Sequence, residues 1–372
     1  MRYFFSSGEA SGELNATLLA DAIARLDERA QFEGIGAERM RAAGFRLWRD
    51  HSGWASMGPL AAIPRVPKLL ATMYVTALHI ARTKPDLVVL VDFGAFNVRL
   101  AKTLRRLRYR GPILDVFPPA TWLDNAMAAR AVARATIPVT AFDHQRRFYE
   151  SLGLPIAYFG HPLVGRYAMR APRPAPLRDG GTIAILPGSR DGELRFHLPA
   201  LLDAFALLKA QRPHLRAIVG AAGDRGAIAI EREIERRHLA SGVRVAHGTA
   251  AAIADADAAW VSSGTAVLET ALCGVPSVAL YIITPMLVKH ARRVYRGRYI
   301  TLPNLVLGRE IVPEFLQDAA TAQNLANAME AVLRDPAVQY RELEALRGAL
   351  GPPDALERCA AFAVDVAKAA TN

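Results

Sequence analysis

Residues 87–97 read Leu-Val-Val-Leu-Val-Asp-Phe-Gly-Ala-Phe-Asn. Five apolar residues run unbroken into an aspartate, and a helical pattern follows. A run that is apolar on both faces suits a parallel strand covered by helices on each side. Working outward, similar short runs occur at Arg2–Ser6, Phe32–Ile35, Ile113–Phe117, Ile137–Ala141 and Ile156–Phe159. Between them lie stretches such as Glu13–Arg29 and Val98–Arg108, where apolar residues recur at three- and four-residue spacing. This alternation predicts a doubly wound α/β domain.

The pattern restarts after the Pro-, Gly- and Arg-rich stretch Gly165–Gly181. Strands are predicted at Thr182–Leu186, Leu215–Val219, Val243–Ala246, Ala258–Val261 and Ser277–Tyr281, and helical segments at Thr321–Arg347 and Asp354–Ala370. The predicted organisation is an α/β domain over 1–164, a linker over 165–181 and a second α/β domain over 182–345. A C-terminal helix over 346–372 packs either on the first domain or on a partner subunit. Two such domains facing each other would line a cleft with their strand C-termini, where ligands of doubly wound sheets bind.

The 372 residues, 52% of them hydrophobic and 22% charged, supply two cores and exclude a disordered chain. Cys273 and Cys359 have no metal-ligand or redox spacing, which fits a reducing compartment. The opening MRYFFSSGEASGE has no apolar signal region, and the apolar run Leu69–Ala81 is shorter than the roughly 20 residues of a spanning helix. A cytoplasmic protein is expected. The net charge of +11 has two readings, an arginine-rich base composition or an anionic partner. No aromatic-interleaved basic stripe or DNA-binding motif points to nucleic acid.

Chemistry-bearing residues gather at predicted strand ends. Gly8, Glu9 and Ser11 follow the first strand, and Asp92 follows Leu87–Val91, with Asn97 opening the next helix. Glu9 and Asp92 stand where a general base belongs, or Glu13 and Asp92 merely cap helices. In the second domain, Gly188, Ser189 and Arg190 follow Thr182–Leu186, offering a tight turn, a cap and a cationic fork. Ser263, Gly264, Thr265 and Ala266 open a helix whose N-terminus suits a phosphate. Glu269, one turn on, suits ribose hydroxyls or is an ordinary first-turn acid. His161 reads as a structural hydrogen-bonder. No His cluster implies a metal, and neither a P-loop nor a GxGxxG fingerprint occurs, so no cofactor is expected.

Together these motifs resemble the lipid-A-disaccharide synthase family, glycosyltransferases of the GT-B type. The resemblance is carried by Gly8-Glu9-Ala10-Ser11-Gly12-Glu13, Gly34-Ile35-Gly36-Ala37-Glu38-Arg39-Met40, Ser56-Met57-Gly58 and Lys84-Pro85-Asp86. It continues through Gly160-His161-Pro162-Leu163, Pro187-Gly188-Ser189-Arg190, Ser263-Gly264-Thr265-Ala266, Leu302-Pro303-Asn304 and Val312-Pro313-Glu314. It implies a donor, UDP-2,3-diacylglucosamine, and a phosphorylated glycolipid acceptor, 2,3-diacylglucosamine 1-phosphate. The product is a β-1',6-linked disaccharide, with UDP released. By the same resemblance UDP lies against Arg190, the 263–266 turn and Glu269, and Asn304 and Gln317 help close the nucleotide site.

The acceptor side departs from the family. Where the family reads Asp-Ala-Pro-Asp-Phe-Asn, this chain has Ala95 in place of the second, catalytic Asp. The base then falls to Asp92 or Glu9, with Asp124 a looser candidate. A UDP-N-acetylglucosamine 2-epimerase-like enzyme, a transferase with another acceptor and a non-catalytic paralogue are the competing readings. Trp54, Met57, Leu60, Leu69 and Leu70, flanked by Arg65 and Lys68, read as an apolar lip at the inner-membrane surface or as a core-packed helix pair. A homodimer is left open.

Overall fold

All five side chains of Leu87–Val91 are buried. The strand belongs to a computed structural model that describes residues 1–51, 66–119, 125–171, 180–285, 287–289, 295 and 297–371. The chain forms two units, Met1–Arg166 with Leu350–Asn372, and Tyr167–Ala349.

The first unit runs β1 (Arg2–Ser6), α1 (Ala10–Leu26), β2 (Gln31–Gly36), α2 (Glu38–Ala42), β3 (Arg46–Asp50), α3 (Val66–Thr83) and β4 (Leu87–Val91). It continues with α4 (Gly94–Arg106), β5 (Ile113–Val116), α5 (Ala126–Ala135), β6 (Ile137–Thr140), α6 (Asp143–Ser151) and β7 (Ala157–Tyr158). The strands pair in parallel in the order β3-β2-β1-β4-β5-β6-β7. Strand alternation sorts the side chains between the two faces. Tyr3, Phe5, Leu87, Val89 and Val91 pack on one face with α1, while Phe4, Val88 and Leu90 pack on the other with α3 and α4.

The second unit runs β8 (Thr182–Leu186), α7 (Asp191–Gln211), β9 (Arg216–Ala221), α8 (Asp224–Arg236), β10 (Val243–His247), α9 (Thr249–Ile253) and β11 (Ala258–Ser262). Then come α10 (Thr265–Leu272), β12 (Ser277–Tyr281), α11 (Leu302–Leu307), β13 (Glu314–Leu316), α12 (Ala322–Arg334) and α13 (Ala337–Ala349). Its parallel sheet is ordered β10-β9-β8-β11-β12-β13. The last helix, α14 (Ala355–Thr371), returns to the first unit, where Ala360, Ala363, Val364 and Ala367 join the α1 side of its core.

Four details differ from the sequence reading. Strand β3 is charged at both ends and largely exposed, as suits an edge strand, so no apolar run marks it. Strand β13 has only three residues. The expected helix 321–347 is two helices, parted at Asp335-Pro336 because proline restricts the residue before it and cannot donate to a preceding turn. Residues 167–171, read as linker, already belong to the second unit: Arg170 donates from its backbone to Cys273 (3.2 Å) and from its guanidinium to Ile253 (2.6 Å).

Candidate active site

Each sheet changes winding direction once, at β1/β4 in the first unit and at β8/β11 in the second. The loops leaving such strands diverge to opposite faces and open a crevice at the strand C-termini. In the first unit those loops carry Glu9 and Asp92.

Asp92 and Phe93 sit consecutively in the left-handed region, at φ 55° and 49°. That corner is held by Asn97, which is fully buried. Its Nδ2 donates to the carbonyls of Asp92 (2.8 Å) and Ser6 (3.2 Å), and its Oδ1 accepts from the Ser6 hydroxyl (2.7 Å). Asn97, expected on the acceptor loop, thus works from beneath it. Gly8 lies directly against the Phe93 ring, where an added Cβ would come within 2.4 Å of it. Burial of Asp92, reinforced by the charge of Glu9, pushes its carboxyl up to about 6. The structure therefore brings the two candidate bases to one switch point. Ser11 lies in the first turn of α1, half-buried, and Glu13 is a structural pin whose carboxylate accepts the Ala37 and Met40 N–H groups. Asp124 lies outside the described residues, and Ala95 stands in the first turn of α4.

In the second unit, Gly188 turns the chain at φ 108°, and a Cβ there would strike the Glu193 carboxylate at 2.4 Å. Glu193 closes a capping box by accepting the Ser189 and Arg190 N–H groups (3.0 and 3.2 Å). It also pairs with the half-exposed Arg190 guanidinium at 2.8 Å. Across the switch point, α10 starts at Gly264 with no side-chain cap, leaving the Thr265–Ala266 end of the helix as an anion-favouring terminus. Ser263 donates from its hydroxyl to Ile300 (3.3 Å). Glu269 is buried on α10 and accepts the Tyr167 hydroxyl at 2.8 Å.

Asn304 and Gln317 both contact the backbone of the second unit. Asn304 is fully buried, takes the Ile311 and Val312 N–H groups at 2.7 and 2.9 Å, and donates to Val312 and Glu314. It braces the 300–314 segment from inside. Gln317 bridges the backbone at Tyr281 and Ile283. Of the apolar lip, Trp54, Met57 and Leu60 lie outside the described residues. Leu69 packs on the core while Leu70 on the same helix stands 45% exposed, so of the lip's described residues only Leu70 faces outward.

Sequence reasoning missed four residues. His197, fully buried on α7, links the C-terminal ends of β8 and β12: Nδ1–H donates to Pro187 (2.8 Å), and Nε2 accepts the Ile282 N–H (3.0 Å). Tyr167 and Glu314 act through contacts distant in sequence. Asp115 hides inside an apolar strand. His161 is buried and neutral, pushed down to about 3 by burial, and its Nδ1 accepts the Leu163 N–H. A small, mostly apolar pocket in the first unit is lined by Leu19, Val116, Phe117, Phe159, Cys359 and Asn15. Among the described residues, no cluster of three His, Cys, Asp or Glu side chains is arranged to hold a metal.

The chain's relatives bear on this geometry. The family model described as lipid-A-disaccharide synthetase matches residues 3–347. Proteins named lipid-A-disaccharide synthase are 31% identical in Synechocystis sp. (99% of this chain, 98% of the relative) and 34% identical in Myxococcus xanthus (96% of each). Among solved structures, a UDP-GlcNAc 2-epimerase from Neisseria meningitidis bound to UDP-GlcNAc superposes with TM-score 0.63 at 10% identity, covering 98% of this chain and all of that one. That likeness is of fold alone, the GT-B architecture.

Proposed function

The chain belongs to the lipid-A-disaccharide synthase family of glycosyltransferases, and from this membership we propose how its own residues carry out the transfer. The donor is UDP-2,3-diacylglucosamine and the acceptor 2,3-diacylglucosamine 1-phosphate. The acceptor hydroxyl attacks the anomeric carbon, the bond to UDP breaks, and the configuration inverts.

The second unit binds the leaving group. Its diphosphate takes the uncapped start of α10 and the Arg190 fork, which compensate the developing negative charge without a metal. Glu269, oriented by Tyr167, accepts from the ribose hydroxyls. The convergence of a cation, a helix terminus and a buried carboxylate at one switch point is the observation that carries this reading.

The first unit supplies the base. Asp92, pushed up to about 6, is ionised at neutral pH and still basic enough to take the acceptor's proton. Glu9 serves as its anionic neighbour. Leu70, Tyr74 and Val75 are exposed on α3 beside Lys68, which supports peripheral attachment to an anionic membrane. Among the described residues no helix is long and apolar enough to cross one.

Incubating the protein with both lipid substrates and weighing the products tests the assignment. A disaccharide appearing in step with UDP is expected. Donor consumed with no new glycosidic bond, or a sugar epimerised in place, would overturn it.

A further inference from the structure

The proposed diphosphate site joins two turns that the chain supplies separately, Gly188–Arg190 before α7 and Ser263–Ala266 before α10. They leave adjacent strands, because β11 pairs with β8 on one side and with β12 on the other. The last register pairs are Val261 with Leu186 and Ser262 with Leu280, so both turns begin where the ladder ends.

One buried ring spans that end. His197 is fully buried and lies about two helical turns after Arg190, on the same side of α7. Helix α7 covers a sheet face built from Ile183, Ile185, Trp260, Val278 and Leu280. An imidazole is costly in such a place unless its nitrogens are bonded, whereas a leucine would carry no such cost. Both nitrogens are bonded, each to backbone just past a strand. The Pro187 carbonyl can only accept, so Nδ1 carries the proton and donates to it at 2.8 Å. Nε2 of the neutral ring then accepts the Ile282 N–H at 3.0 Å. Burial pushes the ring below its ordinary pKa, which keeps that lone pair available.

The bridge continues to both turns. On the α7 side, Pro187 leads directly into Gly188, and the Ser189 and Arg190 N–H groups are held by Glu193. On the α10 side, Ile282 stands just past Leu280, whose carbonyl accepts the Ser263 N–H at 3.1 Å. Gln317 accepts the following N–H, that of Ile283, so the chain leaving β12 is held at two successive residues.

We propose that His197 is a positioning residue for UDP: by tying Pro187 to Ile282 it fixes how far the Arg190 fork stands from the start of α10, so that both meet one diphosphate. The inference rests on the diphosphate lying between those two elements. The buried ring acts on the ligand only through them. Glu269 rides on α10 itself, so its contact with the ribose does not depend on that spacing.

The test titrates the full chain with UDP and with uridine, which lacks the diphosphate. The proteins are wild type, His197→Leu, His197→Gln, Arg190→Ala and the double variant of His197→Leu with Arg190→Ala. His197→Leu should weaken UDP about five- to thirtyfold and leave uridine unchanged. His197→Gln, whose amide can take the Ile282 N–H, should lie between wild type and leucine, and it carries the same comparison if the leucine variant does not fold. In the Arg190→Ala background the leucine change should cost markedly less, because one of the two turns has already lost its contact. Equal losses for UDP and uridine, unchanged UDP affinity, or additive losses in the double variant would overturn the inference. Nitrogen-15 spectra of the wild-type histidines need no variant, and His197 should show Nδ1–H and a bare Nε2. The opposite tautomer would turn Nε2–H to the Ile282 carbonyl, 3.1 Å away, release Pro187 and overturn the bridge. Arg190→Ala with unchanged UDP affinity overturns the placement of the diphosphate, and this role with it. Arg190→Ala weakening UDP while His197→Leu does not overturns this inference alone.

Discussion

Arg190 already pairs with Glu193 at 2.8 Å, so its guanidinium is held at the start of α7 before any ligand arrives. Replacing it by Ala should remove a charge-assisted contact worth about 1.5–3 kcal/mol, weakening UDP binding by roughly 10- to 150-fold in calorimetry. Tyr167→Phe should leave the buried Glu269 carboxylate without that hydroxyl. A loss of about 1–3 kcal/mol in urea unfolding is expected. Asp92 and Asp115 also leave a mark on stability. Both are raised above the usual carboxylate value of 3.8, so between about pH 4 and 7 the folded chain holds more protons than the unfolded one. Their contribution is present below that window and is lost as pH rises through it. His161 works the opposite way, because it stays neutral in the fold down to about 3 and costs stability on acidification below its ordinary 6.5. Wild type should therefore lose more stability between pH 4 and 8 than Asp115→Asn; equal losses would mean that Asp115 does not hold its proton there.

At the scale of elements, strands such as β4 were legible because every position is apolar, and Glu9, Asp92 and the 263–266 turn because they follow such strands directly. The switch points were not, since strand order depends on pairings between segments far apart in the chain. Asp115 escaped notice for a related reason: a single aspartate inside Ile113–Val116 has no spacing to mark it, and only burial makes it unusual. Asn304 was marked by motif, and the fold adds that its amide braces the backbone. On α3, Leu69 and Leu70 are adjacent in sequence and lie about 100° apart around the helix, one partly buried against the core and one outward. Leu70→Ser with Tyr74→Ser should cut binding to anionic vesicles more than tenfold, since each buried apolar side chain contributes about 1.5–3 kcal/mol. Cosedimentation reads this, and added salt should weaken the wild-type interaction. Leu69→Ser should instead lower stability. Unaltered sedimentation of the double variant would remove α3 from the membrane reading.

At the scale of the molecule, the first unit is discontinuous: α14 completes the core around Leu19 and Ile23 after the chain has built the second unit. Ending the chain after Ala349 should abolish the first unit's thermal transition and leave that of the second, as calorimetry would register. The family and the α/β class were legible because their motifs span nearly the whole sequence. The division of labour, leaving group on one unit and base on the other, is the account's central claim, and Asp92→Asn tests it most directly. Asn accepts left-handed backbone readily, so the corner at φ 55° should survive the change. Turnover and UDP affinity measured side by side on this variant should show turnover lowered about 10²–10⁴-fold and UDP affinity unchanged. Full turnover, or a loss of UDP affinity equal to the loss of rate, would contradict it.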